Sequence, residues 1–362
     1  VRMQKPTKNK FNILADENMP LVNTLFAEYG NVKVMPGRHI TSKDLESIDV
    51  LLIRSVTKID EHLLKGTKVR YIGSATSGID HLDVNYLSKT NIRFDYAPGC
   101  NALAVAEYSL SAMSVLCENW TNKKVSVIGC GNVGSKLIEA LTRFGVSCNY
   151  FDPFVERKDI CKINTFNHIT QSDILCFHTP LTETGQFPTK HLVGKQLLES
   201  LKPNAVIINA GRGAVISNKA LLEVLRSRRS IKVALDVWEN EPNIDLQLAD
   251  LVDIGTPHIA GNTVEGKLRG TQMLHQAFKT WCGFDDRITP RNQIKQQLED
   301  GNFLYGDDLS LVCLDGYDIR VDNELLKETF KSRENRMKVG EIFDLLRKNY
   351  RRRNEYLHTY IM

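Results

Sequence analysis

From Phe11 onward, short apolar runs alternate with stretches whose apolar residues recur at helical spacing. FNILAD, IDVLLIRS, VRYIGSA and IRFDYAPG read as short buried strands bounded by small or polar residues. PLVNTLFAEYG, between the first two, reads as a helix ending in Gly30. ALAVAEYSLSAMSVLCE is apolar nearly all round and predicts a helix buried on most sides. The series then restarts with the strand of KKVSVIGCGNVG and continues through SCNYFD, DILCFHTP, AVIINAG, IKVALDVW and LVDIGTPHIA, with helical stretches between. EGKLRGTQMLHQAFKTW reads as one long helix. Strand–helix alternation on this scale predicts an α/β protein with two doubly wound parallel-sheet lobes.

The texture changes near residue 283. A polar loop, TPRNQIKQQLEDGN, is followed by LSLVCLDGYD and by the basic amphipathic stretch VGEIFDLLRKNYRRR, read as a helix. The expected division is a discontinuous first lobe, 10–101 with 262–282, a second lobe, 102–261, and a small α+β domain over 283–362. Its apolar Ile342, Phe343, Leu345 and Leu346 read as a packing surface suited to a dimer, and Arg351 to Arg353 as a solvated face. Composition adds exclusions. The 362 residues are 42% hydrophobic with a net charge of +4 spread along the chain, which gives no argument for nucleic acid or membrane partners. Eight scattered cysteines without CxxC spacing suggest reduced thiols and no metal site. No signal-peptide pattern opens the chain, and VRMQKPTKNK reads as a frayed extension. A cytoplasmic location is expected.

The glycines of GCGNVG carry the first chemistry. Gly129, Gly131 and Gly134 fit G-x-G-x-x-G between a strand and a helix, with Asn132 and Val133 inside the motif. Gly129 serves a tight turn, Gly131 lets backbone amides approach a pyrophosphate, and Gly134 lets the helix pack on the sheet. Asp152 ends the next strand and suits the ribose hydroxyls of NAD; a carboxylate there repels the 2′-phosphate of NADP.

Three further segments sit at the carboxyl ends of strands of the second lobe, where ligands of doubly wound sheets gather. They hold Arg212 in INAGRGAVI, Asp236 and Glu241 in LDVWENEP, and His258 in TPHIAGN. Oxidation of a 2-hydroxy acid needs a base for the hydroxyl proton, which a histidine supplies near neutral pH. A carboxylate orients the imidazole, and an arginine pairs with the substrate carboxylate and polarises the carbonyl. The glycines beside Arg212 are expected to leave room for that anion. His178, in CFHTP, is the weaker histidine because no acidic segment accompanies it. In the first lobe, Arg54 beside Ser55, and Thr76 with Ser77 and Gly78, offer a charge, hydroxyls and amides to a phosphate or carboxylate.

GCGNVG with Asp152, HTPLTETG, INAGRGAVI, ALDVWENEP and PHIAG together resemble the D-isomer-specific 2-hydroxyacid dehydrogenase family from Phe11 to Trp281. ILADENMP, IRSVTKID, GSATSGIDHLD, APGCNALAVAEY, HIAGNTVEGKLRG and FDLLRKNYRRRNEY are similar to a branch that serves pyridoxal phosphate biosynthesis. The resemblance implies two Rossmann-like lobes and a C-terminal domain used for homodimerisation. It implies oxidation of 4-phospho-D-erythronate at C2 with NAD. Arg212 and Glu241 then match active-site positions, and His258 matches the proton donor of the reverse reaction. Ser55 and Thr76 match substrate positions; Asp152, Thr179, Asp236 and Gly261 match cofactor positions. Asn262 stands where close relatives carry a substrate-touching tyrosine, and Gly211 where a cysteine is common. Phosphoglycerate or simple 2-keto acid dehydrogenases share the central motifs, and a non-catalytic NAD-sensing module would need none of Arg212, Glu241 and His258.

Overall fold

The computed structural model describes residues 10–227, 230–283, 308–332 and 338–357. The polar loop at 289–302 and residues 1–9 lie outside the described residues. The chain divides into two compact units, with seams after Asn101 and after Asn262.

The first unit is a parallel sheet of five strands in the order β2-β1-β3-β4-β5. They are β1 (Phe11–Asp16), β2 (Gly30–Met35), β3 (Val50–Ile53), β4 (Tyr71–Ser74) and β5 (Arg93–Tyr96). Short helices α1 (Val22–Phe26), α2 (Glu61–Leu64) and α3 (Val84–Leu87) lie between them. The helix expected over 20–30 is therefore only its middle, and Gly30 opens an unexpected strand. Its Cβ would sit 1.9 Å from the Phe11 carbonyl oxygen, so the β1–β2 pairing demands glycine there. As an edge strand, β2 leaves Val34 46% exposed, which weakens the apolar run that would have revealed it. The long helix of this unit, Val264–Cys282, is capped by the Thr263 hydroxyl, which accepts from the Gly266 amide, and ends at Gly283 with φ of 74°. Its Phe278 is fully buried among Phe11, Tyr29 and Tyr71, with edge-on ring geometry to all three.

The second unit opens with α4 (Ala102–Leu116). Its parallel sheet has seven strands in the order β12-β11-β10-β9-β6-β7-β8. These are β6 (Val125–Ile128), β7 (Cys148–Phe151), β8 (Cys161–Lys162), β9 (Ile174–Phe177), β10 (Val206–Asn209), β11 (Lys232–Leu235) and β12 (Ile254–Gly255). Helices α5 (Asn132–Arg143), α6 (Lys195–Ser200), α7 (Asn218–Arg226) and α8 (Leu246–Leu251) connect them; the Val264–Cys282 helix of the first unit is α9. The chain runs outward from β6 through β7 and β8, then returns to β9 on the other side of β6. That reversal makes the carboxyl end of β6 a topological switch point, where ligands of such sheets bind.

The described C-terminal residues belong to this second unit and are helical: α10 (Leu309–Gly316), α11 (Ile319–Lys331) and α12 (Val339–Lys348). There is no strand among them, where an α+β domain was expected. Ile342, Phe343 and Leu346 join Leu326 and Phe330 in the unit's own core, so they are not free to form a dimer face; Leu345 is 44% exposed. The helix expected through Arg353 stops at Lys348, and Arg353 is 4% exposed, not solvated. No described helix is long and apolar enough to cross a membrane, and no described cluster of His, Cys, Asp or Glu suits a metal. None of the eight cysteines is in a disulfide.

Two outcomes follow from this packing. Phe278→Ala should destabilise the protein by about 3–5 kcal/mol in urea unfolding, with Phe278→Leu losing clearly less; a loss below about 1 kcal/mol in Phe278→Ala would mean the aromatic cluster is not what holds α9. His178, just past β9, is half-buried, its Nδ1 is buried and unpartnered among the described residues, and desolvation pushes its pKa down to about 4. The unfolded chain therefore takes up that proton first as pH falls, so stability is full above pH 6.5 and declines towards pH 4. In His178→Gln the urea midpoint should lose this part of its pH dependence between those limits; identical pH profiles would contradict the assignment.

Candidate functional site

The glycine-rich turn follows β6. Gly129 has φ of 89° and lies where a Cβ would meet the His178 backbone at 2.9 Å. A Cβ on Gly134 would fall 2.0 Å from the Gly129 oxygen, so α5 packs against the turn only with glycine. Gly131 has no atom near its missing Cβ, and it caps α5 without any side-chain hydrogen bond. The first turn of α5 thus presents its amides, with the positive end of the helix dipole, to open space. Asp152, past the end of β7, accepts from the Cys130 amide at 2.8 Å and the Phe154 amide at 2.9 Å. This places a carboxylate beside the turn. Thr179 brings a buried hydroxyl with no described partner to the same strand ends. An uncapped helix start, an open glycine, an adjacent carboxylate and an orphaned hydroxyl fit a dinucleotide.

Beyond β10, the Asn209 side chain folds the chain back. Its Nδ2 donates to the Arg212 carbonyl at 3.0 Å, and its Oδ1 accepts from the Gly211 amide at 3.1 Å. Arg212 is half-buried, and its Nη1 donates to the Gly211 carbonyl at 2.9 Å. Contrary to the expectation from sequence, the flanking glycines do not leave room for a ligand. A Cβ on Gly213 would lie 2.0 Å from the Trp238 carbonyl, and one on Gly211 3.0 Å from the Thr179 oxygen. The space is filled by the protein's own backbone, which brings the segments after β9, β10 and β11 together around the arginine.

The His258–Glu241 pair sits beyond β11 and β12. His258 Nδ1 and Glu241 Oε2 are 2.7 Å apart, and Glu241 Oε1 accepts from the Trp238 amide at 2.8 Å. Burial alone would raise the Glu241 carboxyl, but His258, the Trp238 amide and Arg347 together hold it below the usual carboxylate range. Glu241 is therefore an anion at neutral pH, and His258 keeps its Nε2 for other partners. His258 adopts a left-handed backbone with φ of 56°, uncommon outside glycine.

Asp236 holds that loop. Only 1% exposed, it accepts from Thr256 Oγ1 at 2.7 Å, the Ile259 amide at 2.8 Å and the Ala260 amide at 2.9 Å. Tyr108 on α4 hydrogen-bonds the Thr256 hydroxyl at 2.9 Å. Both carboxylate oxygens of Asp236, given to the cofactor by resemblance, are thus engaged with the loop. Sequence reasoning missed Thr256 and Tyr108; the only signal was Thr256 opening the quoted TPHIAGN. Gly261 and Asn262 follow directly, and the Asn262 amide donates to the Ile259 carbonyl at 2.8 Å.

The first unit has its own polar cluster at the ends of β3 and β4. Thr76 Oγ1 donates to the Gly78 carbonyl at 2.8 Å and lies 2.7 Å from Ser74 Oγ, which lies 2.8 Å from His81 Nε2. Each hydroxyl has one proton, so the chain runs from His81 Nε2–H through Ser74 and Thr76 to Gly78. Ser55 is exposed and Arg54 half-buried. Burial and then the charge of Arg54 push the Lys267 ammonium on α9 down to about 8. Lys267 was not singled out in the sequence. Two cations that repel each other suit a doubly charged anion.

Residues 105–260 match the family model of the D-isomer specific 2-hydroxyacid dehydrogenase NAD binding domain. Erythronate-4-phosphate dehydrogenase of Saccharophagus degradans is 40% identical over 96% of this chain and 94% of that protein. The enzyme of the same name from Photorhabdus laumondii is 43% identical over 95% of this chain and 92% of its own. Among solved structures, NAD-bound 3-phosphoglycerate dehydrogenase of Entamoeba histolytica superposes with a TM-score of 0.66 at 21% identity, covering 75% of this chain and 94% of that one. D-Lactate dehydrogenase of Aquifex aeolicus, complexed with NAD and lactic acid, gives 0.65 at 21%, with 75% and 96% covered. These two share the fold, while the two relatives of higher identity align along nearly the whole chain. The chain belongs to the erythronate-4-phosphate dehydrogenase family, within the D-isomer-specific 2-hydroxyacid dehydrogenases.

Proposed function

We propose that this protein oxidises 4-phospho-D-erythronate at C2 to (R)-3-hydroxy-2-oxo-4-phosphobutanoate with NAD, in pyridoxal phosphate biosynthesis in the cytoplasm. The observation that carries the reading is the 2.7 Å contact of His258 Nδ1 with the Glu241 carboxylate, in a chain of this family.

NAD supplies the hydride acceptor. Gly129, Gly131, Asn132, Val133 and Gly134 would hold its pyrophosphate, and Asp152 its adenosine ribose. Thr179 and Gly261 would contact it beyond the strand ends. Because Glu241 occupies Nδ1, Nε2 of His258 is the atom that takes the C2 hydroxyl proton as the C2–H electron pair leaves and the carbonyl forms. Glu241, ionised beforehand, stabilises the imidazolium and does not accept the proton itself. Arg212 pairs with the substrate carboxylate and polarises the carbonyl of the product. Arg54, Ser55, Thr76 and Asn262 bind the rest of the substrate, and the charge of Arg54 and Lys267 favours a phosphorylated acid. Asp236 acts through the loop, keeping His258 facing Glu241.

In this reading the first unit is the substrate-binding domain and 102–261 the NAD-binding domain. The C-terminal region, 283–362, supports a homodimer, with exposed Leu311, Val321, Leu325 and Leu345 as apolar surface a second copy would cover.

NADH formation with 4-phosphoerythronate, 3-phosphoglycerate and D-lactate tests the assignment, with a 2-keto acid acceptor in a parallel reaction to reveal bound NADH. Activity should be confined to 4-phosphoerythronate and fall by about 100-fold or more in His258→Gln, with NAD still bound. Preference for another acid would overturn the substrate, and a fully active variant would overturn the role of His258.

A further inference from the structure

The segment after α12 returns to the catalytic loop. Arg353, 4% exposed, donates from Nη2 to the Ala260 carbonyl, and to the Ala104 carbonyl of α4 at 3.2 Å. Its guanidinium lies over the Tyr317 ring, 4.2 Å from the centroid. Three and four residues on, the Tyr356 and Leu357 amides donate to Glu107 Oε1 at 2.6 and 2.7 Å. Glu107 lies within α4 and is fully buried. The tail is therefore anchored at two places on α4, and it reaches from there to the last residue of the loop carrying His258.

The Ala260 residue is held from both sides. Its amide donates to Asp236, and its carbonyl accepts from Arg353. The loop between Thr256 and Ala260 includes the left-handed His258, a conformation that persists only when its surroundings determine it. Glu241 is supported from the same direction. A Cβ on Gly340, at the start of α12, would meet Asn243 Oδ1 at 2.7 Å and Pro242 Cγ at 3.1 Å, so α12 sits directly against the turn that carries Glu241. On β12, the Gly255 amide donates to Asn323 of α11 at 2.8 Å. The C-terminal helices and tail thus touch the segments that flank His258 and Glu241 at three points, Ala260, the Pro242–Asn243 turn and Gly255.

The energetic pattern argues against a merely stabilising arginine. Its Nε and Nη1 are buried without a hydrogen-bond partner among the described residues. A buried cation with donors unmet is poorer for stability than an apolar side chain of the same volume. What this arginine supplies, and an apolar residue could not, is a donor fixed on the Ala260 carbonyl.

We propose that Arg353 is a positioning residue for the reaction, acting through the Ala260 carbonyl to hold His258 against Glu241. The C-terminal tail is then part of the catalytic apparatus of the second unit. This rests on His258 as the acid–base group of the proposed function.

The test compares Arg353→Met, Arg353→Ala and Arg353→Lys with the exposed control Arg352→Ala, in the full-length protein. In the first three, kcat should fall by about tenfold or more, as small displacements of a catalytic group do. KM for NAD should stay within about twofold, and amide hydrogen exchange at Ile259 and Ala260 should quicken. Millimolar guanidinium should restore part of the kcat of Arg353→Ala. Arg353→Lys keeps the buried charge, so it gives the same readout where the other variants fail to fold. Variants that fold with a lowered melting temperature but unchanged kcat and unchanged exchange at Ile259 and Ala260 would overturn the proposal. If wild type oxidises no 2-hydroxy acid, the proposed function falls, and amide exchange alone then decides whether Arg353 fixes the loop.

Discussion

One buried carboxylate organises the loop that follows β12 in the second unit. Asp236 is almost fully removed from water and accepts three hydrogen bonds from the loop between Thr256 and Ala260. A buried charge is tolerated only when it is met by such donors. The arrangement fixes successive peptides after His258, while the His258 amide itself donates to the Asp236 carbonyl at 2.8 Å. With both ends of the turn pinned to one residue, the left-handed conformation of His258 becomes the one the chain can adopt. The imidazole then meets Glu241, whose other oxygen is fixed by the Trp238 amide.

The same economy of close backbone contact explains the glycines. Gly213 admits the Trp238 carbonyl, Gly211 admits the strand end after β9, and Gly134 admits the Gly129 carbonyl. Gly213 and Gly134 are required because two main chains approach more closely than any side chain allows, while a Cβ on Gly211 would be a tight contact at 3.0 Å. Gly131 differs, since nothing in the protein fills the space beside it. Of the glycines at the strand ends, it is the one that leaves a place for a dinucleotide at the start of α5.

Much of this was legible in the chain. Strands buried on both faces, such as VLLI and VIIN, announce themselves as unbroken apolar runs, and the G-x-G-x-x-G turn with Asp152 is defined by spacing. The pairing of Glu241 with His258, 2.7 Å apart, was legible because each follows such a strand. Features that depend on tertiary neighbours were not. The edge strand β2 carries too little apolar pattern, since one side of it faces solvent. Arg351 to Arg353 read as one charged face, yet the helix ends first and Arg353 turns inward onto Ala260 and Ala104. Thr256 and Tyr108 are 148 residues apart, and nothing local marks their pairing. The apolar residues of α12 read as a partner surface because its core partners, Leu326 and Phe330, lie on another helix.

Asp236 holds the loop that carries His258, where resemblance makes it a cofactor contact. The most direct measurement is single-turnover hydride transfer in Asp236→Asn with NAD and 4-phosphoerythronate at saturation, beside the affinity for NAD alone. The geometry predicts a hydride-transfer rate reduced by about 100-fold or more with NAD affinity within about threefold of wild type. Lost NAD affinity with an intact hydride step at saturation would contradict it and return Asp236 to the cofactor.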